Sequence, residues 1–311
     1  MNLLELCKCN LGIGNTGIPQ GVKAFAQLLY IIIVPTFDED GNLNFIDCAV
    51  PFTQLFLDGK LNQDDPTKRW YVVKNLKNID RPKTDPVTKE YDDGSINFIR
   101  DGVRSFTALI PGGTAVFLGK LLQGKCNSHS FYEVDICLNV GGNGRDKTKL
   151  YPYLMGQDTI NHFLMLAKGD TNQEISVNFQ YDIQEKDELR RFITDRSITA
   201  DLTPINVNSL VDVNIVPTNP STTTVDVLAT YDYGDHCDPD PYVVGSLPTD
   251  WLVKNLDTPA TIPVISVDDT DADNGNYELT YAIQPSNDMT VEIIPSANNG
   301  FEGAPAPYTI P

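Results

Sequence analysis

QEISVNFQYDIQEKDELRRFIT, residues Gln173 to Thr194, is the stretch on which the fold class turns. Ile175, Val177, Phe179, Tyr181 and Ile183 alternate with Ser176, Asn178, Gln180, Asp182 and Gln184. Unbroken period two marks a strand that is apolar on one face and polar on the other. The polar face is uncharged apart from Asp182. Such a strand is a wall, with one side on a core and the other facing water or a neighbour. The spacing of Leu189, Phe192 and Ile193 predicts a short helix over Lys186–Thr194.

Working outward, Tyr132, Val134, Ile136 and Leu138 alternate with Glu133, Asp135, Cys137 and Asn139, which predicts a second wall of the same kind. The apolar run Leu28–Val34 is far too short to cross a bilayer and reads as a buried strand. Arg69–Lys74 reads as a short strand, and Pro51–Gly59 as a single helical turn. Thr114 is placed to cap a helix over Ala115–Gln123. Asp101-Gly102, between β-rich flanks, predicts a hairpin turn, with a bulge in one long strand as the alternative. Asn75–Asp92 reads as a long surface loop, Gly141–Gly144 as a turn and Ile198–Ser209 as a linker.

Past that linker the texture changes. Short β runs at Val211–Val216, Thr223–Tyr231, Trp251–Asn255, Pro263–Val267, Tyr277–Ile283 and Met289–Ile294 suggest a sandwich. Asp273-Asn-Gly-Asn-Tyr277 resembles the approach to a tyrosine corner, in which a phenol locks a loop. The expected organisation is a β-rich barrel or sandwich domain over residues 1–199 with one or two short helices, then an acidic immunoglobulin-like β-sandwich over 208–311. The charge follows the same division. The chain carries a net −19, and residues from Ala200 onward hold 17 carboxylates against the single base Lys254. A half this acidic repels nucleic acid and anionic membranes. Six scattered cysteines make no disulfide framework, and no secretory leader pattern is visible, so synthesis in a reducing cytoplasm is expected.

The chemistry-bearing motifs are few. Gly12-Ile-Gly-Asn-Thr-Gly17 fits G-x-G-x-x-G but lacks a strand–turn–helix frame and is followed by Pro19. Cys7 and Cys9 have the wrong spacing for zinc. His129, His162 and His236 lie far apart, and nothing near them suggests an oriented triad. Asp269, Asp271 and Asp273 have calcium-loop spacing, yet Asn274 stands where an EF-hand needs glycine and no glutamate closes the loop. The acidic stretch Asp232–Asp240, with His236 and Cys237, is equally unspecific. No cofactor and no enzymatic activity is expected, with calcium at Asp269, Asp271 and Asp273 as the one metal candidate.

Four stretches carry a resemblance. Asp65–Trp70, Asp93–Phe106, Leu118–Lys120 and Glu185–Arg191 resemble structural virion proteins of tailed phages that infect Bacteroidetes hosts. The likeness runs through most of residues 1–200, with the immunoglobulin-like half as an appendage. It implies a major tail tube protein, made in the host cytoplasm and incorporated in the virion tail. Its copies would form stacked hexameric rings, contact other tail proteins and conduct DNA through the lumen during ejection. The alternative is a head-decoration or adhesion protein whose immunoglobulin-like domain binds surfaces or glycans. A lumen must let a polyanion slide, so its wall should carry no lysine or arginine. Ser176, Asn178, Gln180, Asp182 and Gln184 form the candidate lumen face, with the Glu133–Asn139 face as the second choice.

Overall fold

The computed structural model describes residues 25–38, 40–126, 128–194, 197–232, 241–258, 260–271, 274–285, 287–295 and 300–311. Strands hold 48% of the chain and helices 10%, so the protein is mainly β, as the alternation predicts.

The N-terminal unit runs β1 (Leu28–Pro35), β2 (Ile46–Asp47), α1 (Gln54–Leu61), β3 (Tyr71–Val73), β4 (Lys77–Asp80), β5 (Val87–Glu90), β6 (Ile96–Arg100), β7 (Ser105–Pro111), α2 (Ala115–Gln123), β8 (His129–Asp135), β9 (Val140–Asn143), β10 (Lys149–Leu150), β11 (Tyr153–Leu154), β12 (Phe163–Met165), β13 (Glu174–Gln180) and β14 (Arg190–Ile193). One sheet has the order β14-β9-β8-β1-β3, with β11 also on β8; a second has the order β12-β13-β7-β4. Both helices begin where a threonine supplies the first acceptor: Thr53 and Thr114 each take the amide three residues on, at 3.2 Å. A side chain in that role is worth about 1 kcal/mol.

The two sheets pack face to face. Phe131 of β8 meets Phe179 and Tyr181 edge-on, at 4.9 and 5.1 Å between centroids, and Phe106 stacks on Phe179 at 4.7 Å. Ile31, Ile110, Ile175 and Val177 complete this inner layer. The other face of the first sheet presents Tyr30, Ile32, Val34, Tyr132 and Val134 to α1, Trp70, Leu202 and Val207. The first sheet is thus buried on both sides, which is why β1 reads as a continuous apolar run.

That layering overturns several sequence expectations. The alternate residues of β8 do not face solvent: Glu133 and Asp135 are fully buried, because the second sheet covers them. No helix forms over 186–194; a single turn at Asp187–Leu189 leads into β14, which pairs with β9. Main-chain bonds to a neighbouring strand outweigh the local helical spacing. Gly141–Gly144 is not a turn, since Val140–Asn143 is the buried strand β9. Bulk would not fit there: a Cβ on Gly142 would lie 2.3 Å from the Tyr151 carbonyl oxygen. The 198–209 segment is no free linker. Leu202 and Val207 are fully buried in the core, and the Tyr30 hydroxyl donates to the Leu202 carbonyl at 2.7 Å. Asn75–Asp92 is not one loop but contains β4 and β5, and the hairpin turn falls elsewhere than Asp101-Gly102.

The C-terminal unit comprises β15 (Val211–Thr218), β16 (Thr224–Tyr231), β17 (Trp251–Asn255), β18 (Ala260–Asp271), β19 (Asn276–Tyr281), β20 (Asp288–Ile293) and β21 (Phe301–Thr309). They close into the ring β15-β16-β19-β18-β17-β20-β21. The order is that of a seven-strand immunoglobulin-type sandwich, with β15-β16-β19-β18 as one sheet and β17-β20-β21 as the other. Two strands bridge the sheets. β18 pairs with β17 through Pro263 and with β19 from Val264, and β15 pairs with both β16 and β21. Trp251 fills the centre and donates its indole N–H to Ser246 Oγ at 2.9 Å. The Tyr277 hydroxyl donates to the Val243 carbonyl at 2.8 Å, so this phenol does lock a loop, from β19.

Candidate functional site

Residues 77–109 form one long antiparallel ribbon. The pairs Lys77–Leu109, Asp80–Thr107, Lys83–Arg104, Val87–Arg100, Thr88–Phe98 and Glu90–Ile96 keep nearly constant register along its whole length. Its root belongs to the second sheet. Its outer part leaves the sheet, and every residue from 82 to 101 is exposed. The turn lies at the second Asp-Gly dipeptide, Asp93-Gly94: Gly94 has φ +76°, and Asp93 Oδ1 accepts the Ser95 amide at 2.9 Å. Asp101-Gly102 is where the two strands press together, for a Cβ on Gly102 would sit 1.7 Å from the Thr84 carbonyl oxygen. Both dipeptides satisfy the same local rule, and only the cross-strand register separates them.

The outer ribbon carries Val87, Tyr91, Ile96, Phe98 and Ile99, all exposed, with Ile96 at 69%. Two strands without a third or a helix behind them are marginal in water. The arm is roughly 30 Å long, by the rise of about 3.3 Å per residue, and sets these apolar side chains among eight charged ones. Among the described residues, nothing buries this one.

The candidate lumen face shortens on inspection. Ser176, Asn178 and Gln180 share the outer face of β13, but the strand stops there, and Asp182 and Gln184 lie in the turn beyond Tyr181. Ser176 is buried and accepts Asn178 Nδ2 at 2.8 Å, whereas Gln180 is exposed. Cross-strand partners extend the face to Phe163 on β12 and to Ser105, Thr107 and Leu109 on β7. Lys77 on β4 stands opposite Leu109 at its margin. The Asn178 amide donates to His162 Nδ1 at 3.1 Å. Burial holds this imidazole's pKa down at about 4, so the ring stays neutral and the acceptor is kept.

On the second candidate face Glu133, Asp135 and Asn139 are buried in polar networks, and Cys137 is exposed. Glu133 Oε2 accepts Arg81 Nη1 at 2.9 Å and Arg190 Nη2 at 2.5 Å, and its other oxygen accepts the Tyr181 hydroxyl at 2.6 Å. Burial, then the Glu133 charge, pushes the Tyr181 phenol well up. Asp135 takes the amides of Ala26, Cys137 and Asn139, closing the turn in which Leu138 adopts φ +61°. Glu185 is held by Asn143 Nδ2 at 2.5 Å and the Leu154 amide at 3.1 Å; burial raises its pKa against those bonds.

Asp269 and Asp271 belong to strand β18, with Asp271 opposite Asn276, while Asp273 lies outside the described residues. Cys7, Cys9, Gly12–Gly17, His236 and Cys237 also lie outside them. His129 Nδ1 is 3.2 Å from the Gly124 carbonyl, and Ser130 pairs with Thr36. Among the described residues no three His, Cys, Asp or Glu side chains converge as a metal site, and no helix is long and apolar enough to cross a membrane. The chain matches no family model and no curated protein.

Proposed function

We propose that this chain is a structural protein of a phage virion, most specifically the major tail tube protein, whose copies self-assemble into stacked hexameric rings. The observation that carries the reading is the ribbon of residues 82–101, which bears five large apolar side chains and is folded yet exposed over its whole length. It supports a subunit that completes itself on other copies. An arm on one surface received by a different surface is a heterologous contact, the kind that closes rings or extends filaments. The open edges β12 and β4 of the second sheet offer further main-chain donors and acceptors for a neighbour. The resemblance of residues 1–200 to tailed-phage virion proteins supplies the tail. In this reading Ser176, Asn178 and Gln180 line the lumen past which DNA slides, and the immunoglobulin-like unit stands outside.

Negative-stain microscopy of the purified full chain tests it. Rings or tubes are expected, and a variant with residues 86–101 replaced by a tight turn should stay monomeric with its core intact. If the wild-type chain remains a monomer at high concentration and decorates capsids instead, the tube reading is lost. Asn178→Lys with Gln180→Lys should leave tubes assembled but slow DNA ejection.

A further inference from the structure

At the root of the ribbon, between the two sheets, a cleft of about 460 Å³ is lined by Phe25, Ile79, Asp80, Arg81, Arg104 and Arg190. Its three arginines come from three strands or their ends, and each is held in place. Arg81 and Arg190 converge on one oxygen of buried Glu133. The Arg190 guanidinium lies over the Tyr153 ring at 4.4 Å. Arg104 Nη1 donates to the Arg81 carbonyl at 2.6 Å and Nη2 to Asp187 Oδ1 at 2.9 Å. Lys83 holds the other Asp187 oxygen at 2.9 Å.

Four cations, Arg81, Lys83, Arg104 and Arg190, gather here in a chain of net charge −19, beside Asp80, Glu133 and Asp187, with Glu185 in the adjoining crevice. Their donors are not used up. A guanidinium has five N–H groups, and Arg81 and Arg190 each give one to Glu133. Planar forks already fixed by a carboxylate and an aromatic ring lose little freedom when a second acceptor arrives.

We propose that this cleft binds an oxyanion, carboxylate or phosphate, with Arg81, Arg104 and Arg190 as its donors. The inference stands independently of the tail reading. Binding would tie β4, β7 and β14 together and so fix the direction in which the ribbon leaves the body. The oxyanion has two sources, a free ion or an acidic side chain of a neighbouring copy.

The test is a thermal melt of the full chain in Tris with inorganic phosphate, against chloride at equal ionic strength. Phosphate should raise Tm in a saturable way where chloride does not. Arg104→Gln should abolish the response, since Asp187 keeps Lys83 and the fold is retained. Arg104→Lys keeps the charge without the fork and should weaken apparent affinity about tenfold. Lys77→Gln, on the outer sheet face, should respond as wild type. Light scattering in parallel separates the sources: if a neighbour's carboxylate occupies the cleft, phosphate disperses assemblies, and if a free ion does, scattering is unchanged. Equal responses to phosphate and chloride, or a saturable response that survives in Arg104→Gln, overturn the proposal.

Discussion

His162 is buried with one ring nitrogen committed as an acceptor, so its protonation and its place in the fold exclude each other. Its pKa falls from an ordinary 6.5 to about 4 because burial disfavours the charged ring. The sign follows from linkage. Between those values the unfolded chain binds the proton and the folded chain does not, so stability is complete above pH 6.5 and is lost as pH falls towards 4. At about 1.4 kcal/mol per unit, the full effect is about 3 kcal/mol. Denaturant melts across pH 4–7 should show this slope in the wild type and a flatter one in His162→Gln; identical slopes would remove the assignment. Glu133 instead joins two strands, accepting from both Arg81 and Arg190. Glu133→Gln leaves Arg81 and Arg190 facing each other without a counter-charge in a buried site. A loss of about 3–5 kcal/mol is expected, as for other broken buried pairs. Urea titration reads it, and a change below about 1 kcal/mol would mean that water relieves the arginines.

At the scale of elements, the ribbon is the least supported part of the molecule and should respond on its own. Gly102→Ala puts a methyl group into the space of the Thr84 carbonyl, so the paired strands must splay. Hydrogen exchange should quicken over residues 82–101 and stay unchanged in β1, β8 and β13. Quickened exchange in the core strands as well would show that ribbon and body unfold as one unit. Legibility at this scale was uneven for a physical reason. α2 was readable to the residue, because its cap and its apolar spacing are both local. β17 was equally readable from alternation between turn signals. β14 was not, since Leu189, Phe192 and Ile193 satisfy a helical spacing and only the neighbouring strand β9 makes the segment extended.

On the scale of the whole molecule, the described residues build three hydrophobic clusters from separate parts of the chain, two in the N-terminal layers ending at Val207 and one in the C-terminal ring beginning at Val213. Across the junction Arg69, itself buried, grips both oxygens of Glu302 at 2.5 and 2.9 Å, and Lys120 reaches Asp212. A fragment ending at residue 209 should therefore fold and assemble, whereas one ending at 199 lacks Leu202 and Val207. Removing two buried aliphatic side chains from one core costs several kcal/mol, so the shorter fragment should melt earlier or aggregate. Size-exclusion chromatography and thermal melts of the two fragments check this. Equal behaviour would return residues 198–209 to the role of a linker.

The amino-acid sequence by itself determined the β class, helix α2, most C-terminal strands and the acidic character of the second half, whereas the single turn expected at Pro51–Gly59 is the longer helix Gln54–Leu61. Each of these rests on spacing within a few residues or on a simple sum of charges. Tertiary structure alone decided which polar faces meet water. Glu133 and Asn178 occupy equivalent positions in two alternating strands, yet one is sealed between sheets and the other lies half-open on an outer face. Alternation reports that two faces differ, but what covers each face comes from other segments, such as Arg81 and Arg190 on Glu133 at 52 and 57 positions away. The ribbon and the arginine cleft were hidden for the same reason. Arg81, Arg104 and Arg190 are scattered in sequence, and only the stacking of two sheets over one buried carboxylate brings them to a single site.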